Sequence, residues 1–529
     1  MTRPGLLALG FIAILIGGAF AGLAVEAARD WSGASGAFDA GMLRIAGFTL
    51  WQATLSTALS VAPAILVARA LSRHSDFPGR GLLLRLFAVP LGLPAIVAAL
   101  GLLALYGRAG FAADIASGIG AGRWPGIYGL SGILVAHVFF NLPLATRLLL
   151  AALETVPPDQ WRLASQLGMR SGAVFRLIEW PALRAAIPGV AGLVFMLCVT
   201  SFTLVLTLGG GPAATTLEVA IYQSLRFDFE PARAVALTVA QVALTVAAVF
   251  ALSRLGADVT GDANLPVAGR RPRTGEPGET LLNATAIGFA AAFVLAPMAA
   301  IVASGLQADI GRLATEPAVL AAATQSLVFA LGAALLSVLL SLSLVAMRRK
   351  LETARKGGRR SVLETLAGTG ANLVLVVPPI VIGAGWFVLL RNTGGVFAVA
   401  PAMVVTVNAV MAMPFATRAI RPAYDAAAIR NDRLCVQLGI SGIARARLID
   451  WPELRRPLAT GFAFAMALSL GDLGVIALFG SESVQTLPYL LYSRMGSYRT
   501  QDAAGLALLL GLLCLTLIWL AEHLGKEAR

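Results

Sequence analysis

The 529-residue chain holds few groups able to do covalent chemistry. Its histidines are His74, His137 and His523, its cysteines Cys198, Cys435 and Cys514, and its lysines Lys350, Lys356 and Lys526. No HExxH pairs two histidines for zinc, and no GxSxG presents a serine nucleophile. No lysine follows G-x4-G or precedes Ser or Thr, so no loop is built to cradle a nucleotide phosphate. Neither catalysis nor a metal or cofactor site is expected. What remains is a handful of polar groups inside apolar runs: His137, Asn141, Ser201, Asn408 and Asp472. Burying such groups is costly unless they are paired, so each either bonds a neighbouring helix or lines a passage. Asp472 is the only acid within an apolar run. It suits either a structural hydrogen bond or a cationic cargo, with Phe202 or Trp386 offering ring faces to the same charge. His137 and Asn408 are read first as helix–helix hydrogen-bonding groups.

The second chemical feature is a loop that occurs twice. Placing residue n against n + 271 aligns 160–184 with 431–455 without a gap, with 13 of 25 positions identical. Arg162/Arg433, Gly168/Gly439, Ile178/Ile449, Trp180/Trp451 and Pro181/Pro452 are among them. Membrane composition cannot produce this match, because the window is polar and rich in rare residue types. Asp159 after Pro157-Pro158, and Asn431 or Asp432 in the second copy, are candidate N-caps. Gly168 and Gly439 are natural helix stops, each followed by a second short helix that ends near the proline. Two short amphipathic helices broken at a glycine make a knob, and two matched knobs suit two identical partner subunits.

The elements that carry these groups are membrane spans. Hydrophobic residues make up 58% of the chain and charged ones 13%, about half the charge of a soluble domain. Twelve long charge-poor runs approach the roughly 20 residues a spanning helix needs: 4–25, 45–68, 86–107, 124–146, 185–217, 234–253, 280–308, 317–347, 365–390, 392–417, 457–471 and 503–521. With a cytoplasmic N-terminus, the cytoplasmic segments sum to +15 against a whole-chain charge of +13, leaving −2 elsewhere. Both termini are therefore expected inside, and the basicity sets orientation in lipid rather than nucleic-acid binding. The opening run resembles a signal peptide, but its length and its counterpart at 281–303 make it a retained first span.

Residues 255–280 are rich in Gly and Pro and lack apolar periodicity, which reads as a cytoplasmic linker between domains 1–254 and 281–529. Six spans separate equivalent points of the halves. An even number preserves orientation, so the repeat is parallel.

The doubled spacing G-x9-I-x-x-P resembles the coupling loop of ATP-binding-cassette importer permeases. That family's Glu-Ala-Ala opening is replaced here by Arg162-Leu163-Ala164 and Arg433-Leu434-Cys435. The resemblance implies an all-α fused dimer of six-span permease domains in the bacterial inner membrane. It also implies two copies of a separate ATPase subunit, which would hold ATP and Mg, and a periplasmic binding protein. Further motifs are His137-Val-Phe-Phe-Asn141-Leu-Pro143, Leu167-Gly-Met-Arg-Ser171, Glu179-Trp-Pro181, Leu208-Gly-Gly-Gly-Pro212 and Ala220-Ile-Tyr-Gln223. Together they are similar to the permeases of bacterial thiamine (thiamine pyrophosphate) importers, which implies a thiamine-binding protein as the partner. Fused iron(III) permeases share the architecture, and a secondary transporter with internal repeats is the alternative of another class.

Overall fold

The computed structural model describes residues 2–74, 77–120, 124–254, 277–355, 361–373, 377–391, 395–440 and 442–526. Among them every element is helical apart from one antiparallel bridge, Ser481–Val484. Among the described residues ten helices are long and apolar enough to cross a bilayer, against about twelve runs in the sequence. The ninth run is divided between Val362–Leu373 and Pro379–Arg391, of 12 and 13 residues. Pro378-Pro379 opens the second of these, and a proline at a helix start cannot extend the helix before it. The eleventh run is the helix Trp451–Gly471, whose early turns carry Glu453, Arg455 and Arg456 and dilute its apolarity. The linker at 255–280 lies outside the described residues up to 276, and Pro277 already opens the next helix.

The chain forms two compact units, and they differ from the two sequence repeats. One unit comprises Ala40–Val219 and Ala243–Gln307. Its helix Ala40–Arg73 buries a stripe of small and polar residues, Thr49, Gln52, Ala53, Ser56, Ser60 and Ala64, and packs on Leu130–Glu154. Small side chains let membrane helices approach closely, since lipid supplies no hydrophobic drive between them. The helix Pro277–Leu306, which opens the second half, packs here against Ala95–Tyr106. A Cβ on Gly101 would lie 2.6 Å from the Pro297 carbonyl oxygen, so glycine is required at that crossing.

The other unit comprises Met1–Asp39, Ala220–Val242 and Ala308–Arg529. Its centre is Pro317–Ala354 packed on Val396–Gln437 and Trp451–Gly471, where Ala334, Ala412 and Ala465 meet. The first span, Thr2–Arg29, packs on Pro379–Arg391 through Gly22 and Gly385. Each half thus contributes its opening span to the unit built mainly from the other half. The repeat persists in detail inside each unit. Thr49 Oγ1 accepts from the Leu217 amide at 3.0 Å, and Ser326 Oγ accepts from the Leu487 amide at 2.7 Å. Both bonds satisfy an N–H at a helix start that has no intrahelical partner.

Candidate functional site

The first loop begins at Pro157, which precedes a nine-residue helix, Pro158–Gln166. Asp159 lies in the first turn rather than at the N-cap, and its carboxylate pairs with Arg162 at 3.4 Å. Both groups are exposed, so that pair contributes little. The helix ends at Gly168 with φ +60°. The Gly168 amide donates to the Ser165 carbonyl at 3.1 Å and the Met169 amide to the Ala164 carbonyl at 3.0 Å. This bond pair is the Schellman closure, which needs a left-handed residue that glycine adopts without strain. Trp161, Ala164, Val174 and Val156 form a small core under the knob, and the half-buried Ile178 and Met169 pack against it.

The second short helix expected after the glycine is the start of a longer one. From Ser171 the chain stays helical to Val199, with a π turn over Phe175–Glu179. Pro181 explains the π turn. It has no amide hydrogen to return to Leu177, and a wider turn relieves the clash of its ring with that carbonyl.

The second loop repeats the closure. Gly439 has φ +66°, its amide donates to Val436, and the Ile440 amide donates to Cys435 at 2.9 Å. A π turn over Ala446–Asp450 again precedes Trp451-Pro452, and Ile449 is half-buried. The entry differs. The second copy has no separate short helix before its glycine, because Val396–Gln437 is one continuous 42-residue helix, and neither Asn431 nor Asp432 caps anything. Pro157 and Pro158 correspond to Ala428 and Ile429, which keep their amide hydrogens and let the helix run on.

Both knobs expose the same apolar side chains. Leu163/Leu434, Leu167/Leu438, Leu177/Leu448 and Trp180/Trp451 are all exposed, and each pair is 271 residues apart. Leu177 and Leu448 are 63% and 64% exposed. The exposed apolar surface is thus repeated along with the loop. Arg162 and Arg433 are both exposed beside it.

Of the polar groups in the spans, His137 and Asn141 are buried in hydrogen bonds. Ser56 Oγ lies 2.8 Å from His137 Nδ1, and Asn141 Nδ2 donates to Cys198 Sγ at 3.4 Å. Gln52, which sequence reasoning passes over, donates to the Cys198 carbonyl at 2.9 Å. Asn408 Nδ2 donates to Ser469 Oγ at 3.1 Å. Asp472 accepts from the Gly474 and Val475 amides at 3.2 and 3.4 Å, at the start of the short helix Gly474–Phe479. Its counterpart Ser201 lies at the equivalent break, between Trp180–Val199 and Thr203–Leu208. Trp386 does not present its ring as a free face. Its indole nitrogen donates to the Leu15 carbonyl at 2.7 Å and its ring packs at Gly18.

Glu179 and Asp450 are functional candidates that sequence reasoning misses. Glu179 is wholly buried between Arg69 and Arg73. Asp450 occupies the same place in the second loop, where burial pushes its carboxyl above the usual range and Arg445 opposes that. An acid preceding Trp-Pro in both copies is the available signal.

Residues 60–260 match the family model of the binding-protein-dependent transport system inner membrane component. The thiamine transport system permease protein ThiP of Brucella abortus is 57% identical over 530 residues, covering 100% of this chain and 96% of that protein. Those of Escherichia coli and Haemophilus influenzae are 43% and 36% identical, covering 93% and 96% of this chain and 91% and 94% of theirs. The chain belongs to this family of membrane-spanning transport permeases. The resemblance carried by the first-half motifs is the one these relatives bear in their names.

Proposed function

We propose that the chain forms the translocation pathway of an ATP-driven importer for thiamine and its phosphates, in the inner membrane with both termini cytoplasmic. A periplasmic thiamine-binding protein delivers the cargo, and two copies of a separate ATPase subunit hold ATP and Mg. The observation that carries this reading is the doubled knob. Four exposed apolar pairs at a constant offset, on two loops closed by the same glycine geometry, suit two identical partners. Arg162, Gly168, Ile178 and Pro181 serve the first docking site, and Arg433, Gly439, Ile449 and Pro452 the second. The glycines end the knobs, the isoleucines seat them and the prolines set the turn behind them. Arg162 and Arg433 meet acceptors on the ATPase.

For the pathway, the favoured positions are Ser201 and Asp472, which share a helix break inside apolar sequence. Such breaks are tolerated in a membrane where protein or a cavity surrounds them. His137, Asn141 and Asn408 hold the neighbouring spans in register. The thiamine cargo draws on the names of relatives at 57% and 43% identity, which favour neither an iron(III) permease nor a secondary transporter.

The test uses a strain unable to make thiamine and without another thiamine importer. Deleting the gene should raise its requirement for external thiamine, and restoring it should reverse that. An unchanged requirement would overturn the cargo. Co-purification with the ATPase subunit, with hydrolysis stimulated by loaded binding protein, tests the coupling.

A further inference from the structure

The two loops match in sequence but are anchored by different groups. In the first, both oxygens of the buried Glu179 carboxylate are occupied, Oε2 by Arg69 Nε at 2.8 Å and Oε1 by Arg73 Nε at 2.7 Å. The same two guanidinium groups donate to Ser171 Oγ at 2.9 and 2.6 Å. Glu279 completes the cluster. Its Oε1 accepts from Arg69 at 3.0 Å and from Ser171 Oγ at 2.5 Å, and it pairs closely with Arg73. Two arginines balance two acids, all at most 17% exposed at the side chain. Glu279 lies in the first turn of Pro277–Leu306, so the helix that opens the second half is bolted to the first loop.

The second loop is held mainly from within. Asp450 is 15% exposed and lies 3.5 Å from Arg445 Nε, a residue of the loop itself. Arg445 also meets Asp432 at 2.6 Å. Arg349, from the helix Pro317–Ala354, stands 3.7 Å from Asp432, and the Arg430–Glu453 pair is exposed. Among the described residues, the second loop has no charge entering from an opening span as Glu279 does. The pairs through Arg445 and Arg349 are partly exposed, at 15–32% of the side chain, and so open at lower cost than the first cluster, where Glu179 is wholly buried and opening strands uncompensated charges.

We propose that the two docking loops are mechanically unequal: Glu279 makes the first a fixed anchor, and the second is the lever that reorients within its own unit during the ATP cycle. Glu279 is a positioning residue that acts through Arg69, Arg73 and Ser171. The functional half of the proposal rests on the docking reading above, but the mechanical half does not.

Hydrogen exchange on the full chain in lipid nanodiscs, without and then with the ATPase subunit, tests both. Without the ATPase, amides of 158–181 should exchange at least roughly tenfold more slowly than those of 429–452, as expected when local opening differs in cost. Glu279→Gln should bring the first loop to the rate of the second and leave the second unchanged. Glu279→Asp, which keeps the charge, should restore part of the protection. Equal exchange of the wild-type loops, or a first loop that stays protected in Glu279→Gln, overturns the proposal. Should the Gln variant fail to insert, the wild-type comparison alone decides. Adding the ATPase reports separately on docking: protection of both loops supports the docking reading whichever way the asymmetry falls.

Discussion

Replacing Gly168 or Gly439 tests the knobs through their backbone alone. Both residues sit at φ near +60°, and no atom lies within 4 Å of the position a Cβ would take, so steric contact adds nothing to the cost. An L-residue in that conformation is strained by about 1–2 kcal/mol. The strain can be relieved only by opening the closure, which gives up two backbone hydrogen bonds worth about 0.5–1.5 kcal/mol each. The two sides are of similar size. Alanine should therefore bring closed and frayed knobs near balance, and a β-branched valine should tip them to frayed. Asparagine, which tolerates the left-handed region, should stay close to wild type. With about 1.4 kcal/mol equal to a tenfold change in population, alanine should cut coupled uptake by about two- to tenfold, and valine by more. The assay reconstitutes the permease with its ATPase and loaded binding protein, and reads thiamine uptake per ATP hydrolysed. Membrane levels of the protein should be unchanged, because each glycine is itself exposed and has no atom packed at its Cβ position. If valine at either glycine leaves the ratio intact, the docking reading fails. If asparagine is as harmful as valine, the effect comes from side-chain bulk on the docking surface and the conformational account is wrong.

Three further outcomes are expected. Leu177→Glu and Leu448→Glu place a charge on the repeated apolar surface and should each weaken ATPase co-purification without lowering membrane levels; unchanged co-purification of the double variant would remove that surface from the interface. Asp472→Asn keeps one acceptor for the Gly474 and Val475 amides and should slow uptake modestly, whereas Asp472→Lys, a like charge to the cation at low dielectric, should block it; normal uptake by the lysine variant would place Asp472 outside the pathway. A reporter fused after Gly110 should register the periplasm and one within 255–276 the cytoplasm, and the reverse pattern would invert the topology.

Local rules make much of this protein legible in its residues. Run length against bilayer thickness gives most of the spans, with ten long apolar helices among the described residues against twelve runs, and a constant offset of 271 residues gives the doubling. A glycine after an amphipathic stretch marks both knob ends, because the left-handed residue of a helix closure is a local backbone demand. Local rules also mislead where two signals compete. Caps at Asn431 and Asp432 are expected only if the two prolines that break the first copy are overlooked, and without them the second helix runs straight through. A second short helix ending at Pro181 is expected only if a proline must stop a helix, and a π turn lets this one continue.

The remainder is decided by groups far apart in the chain. Trp386 is occupied by a carbonyl 371 residues away, and Arg69 reaches partners 110 and 210 residues on. The exchange of opening spans between the two compact units depends on close backbone crossings such as Gly101 on Pro297, which no local pattern announces. Sequence by itself determined where most of the apolar segments lie, that the chain carries an internal repeat, and where the two loops must turn left-handed. These follow from each segment's own burial and backbone limits. Only the tertiary structure decided which charges share a buried cluster and which loop is bolted down. A buried ion finds its partner by proximity in space, and in a polytopic protein that proximity is set by helix packing rather than by chain order.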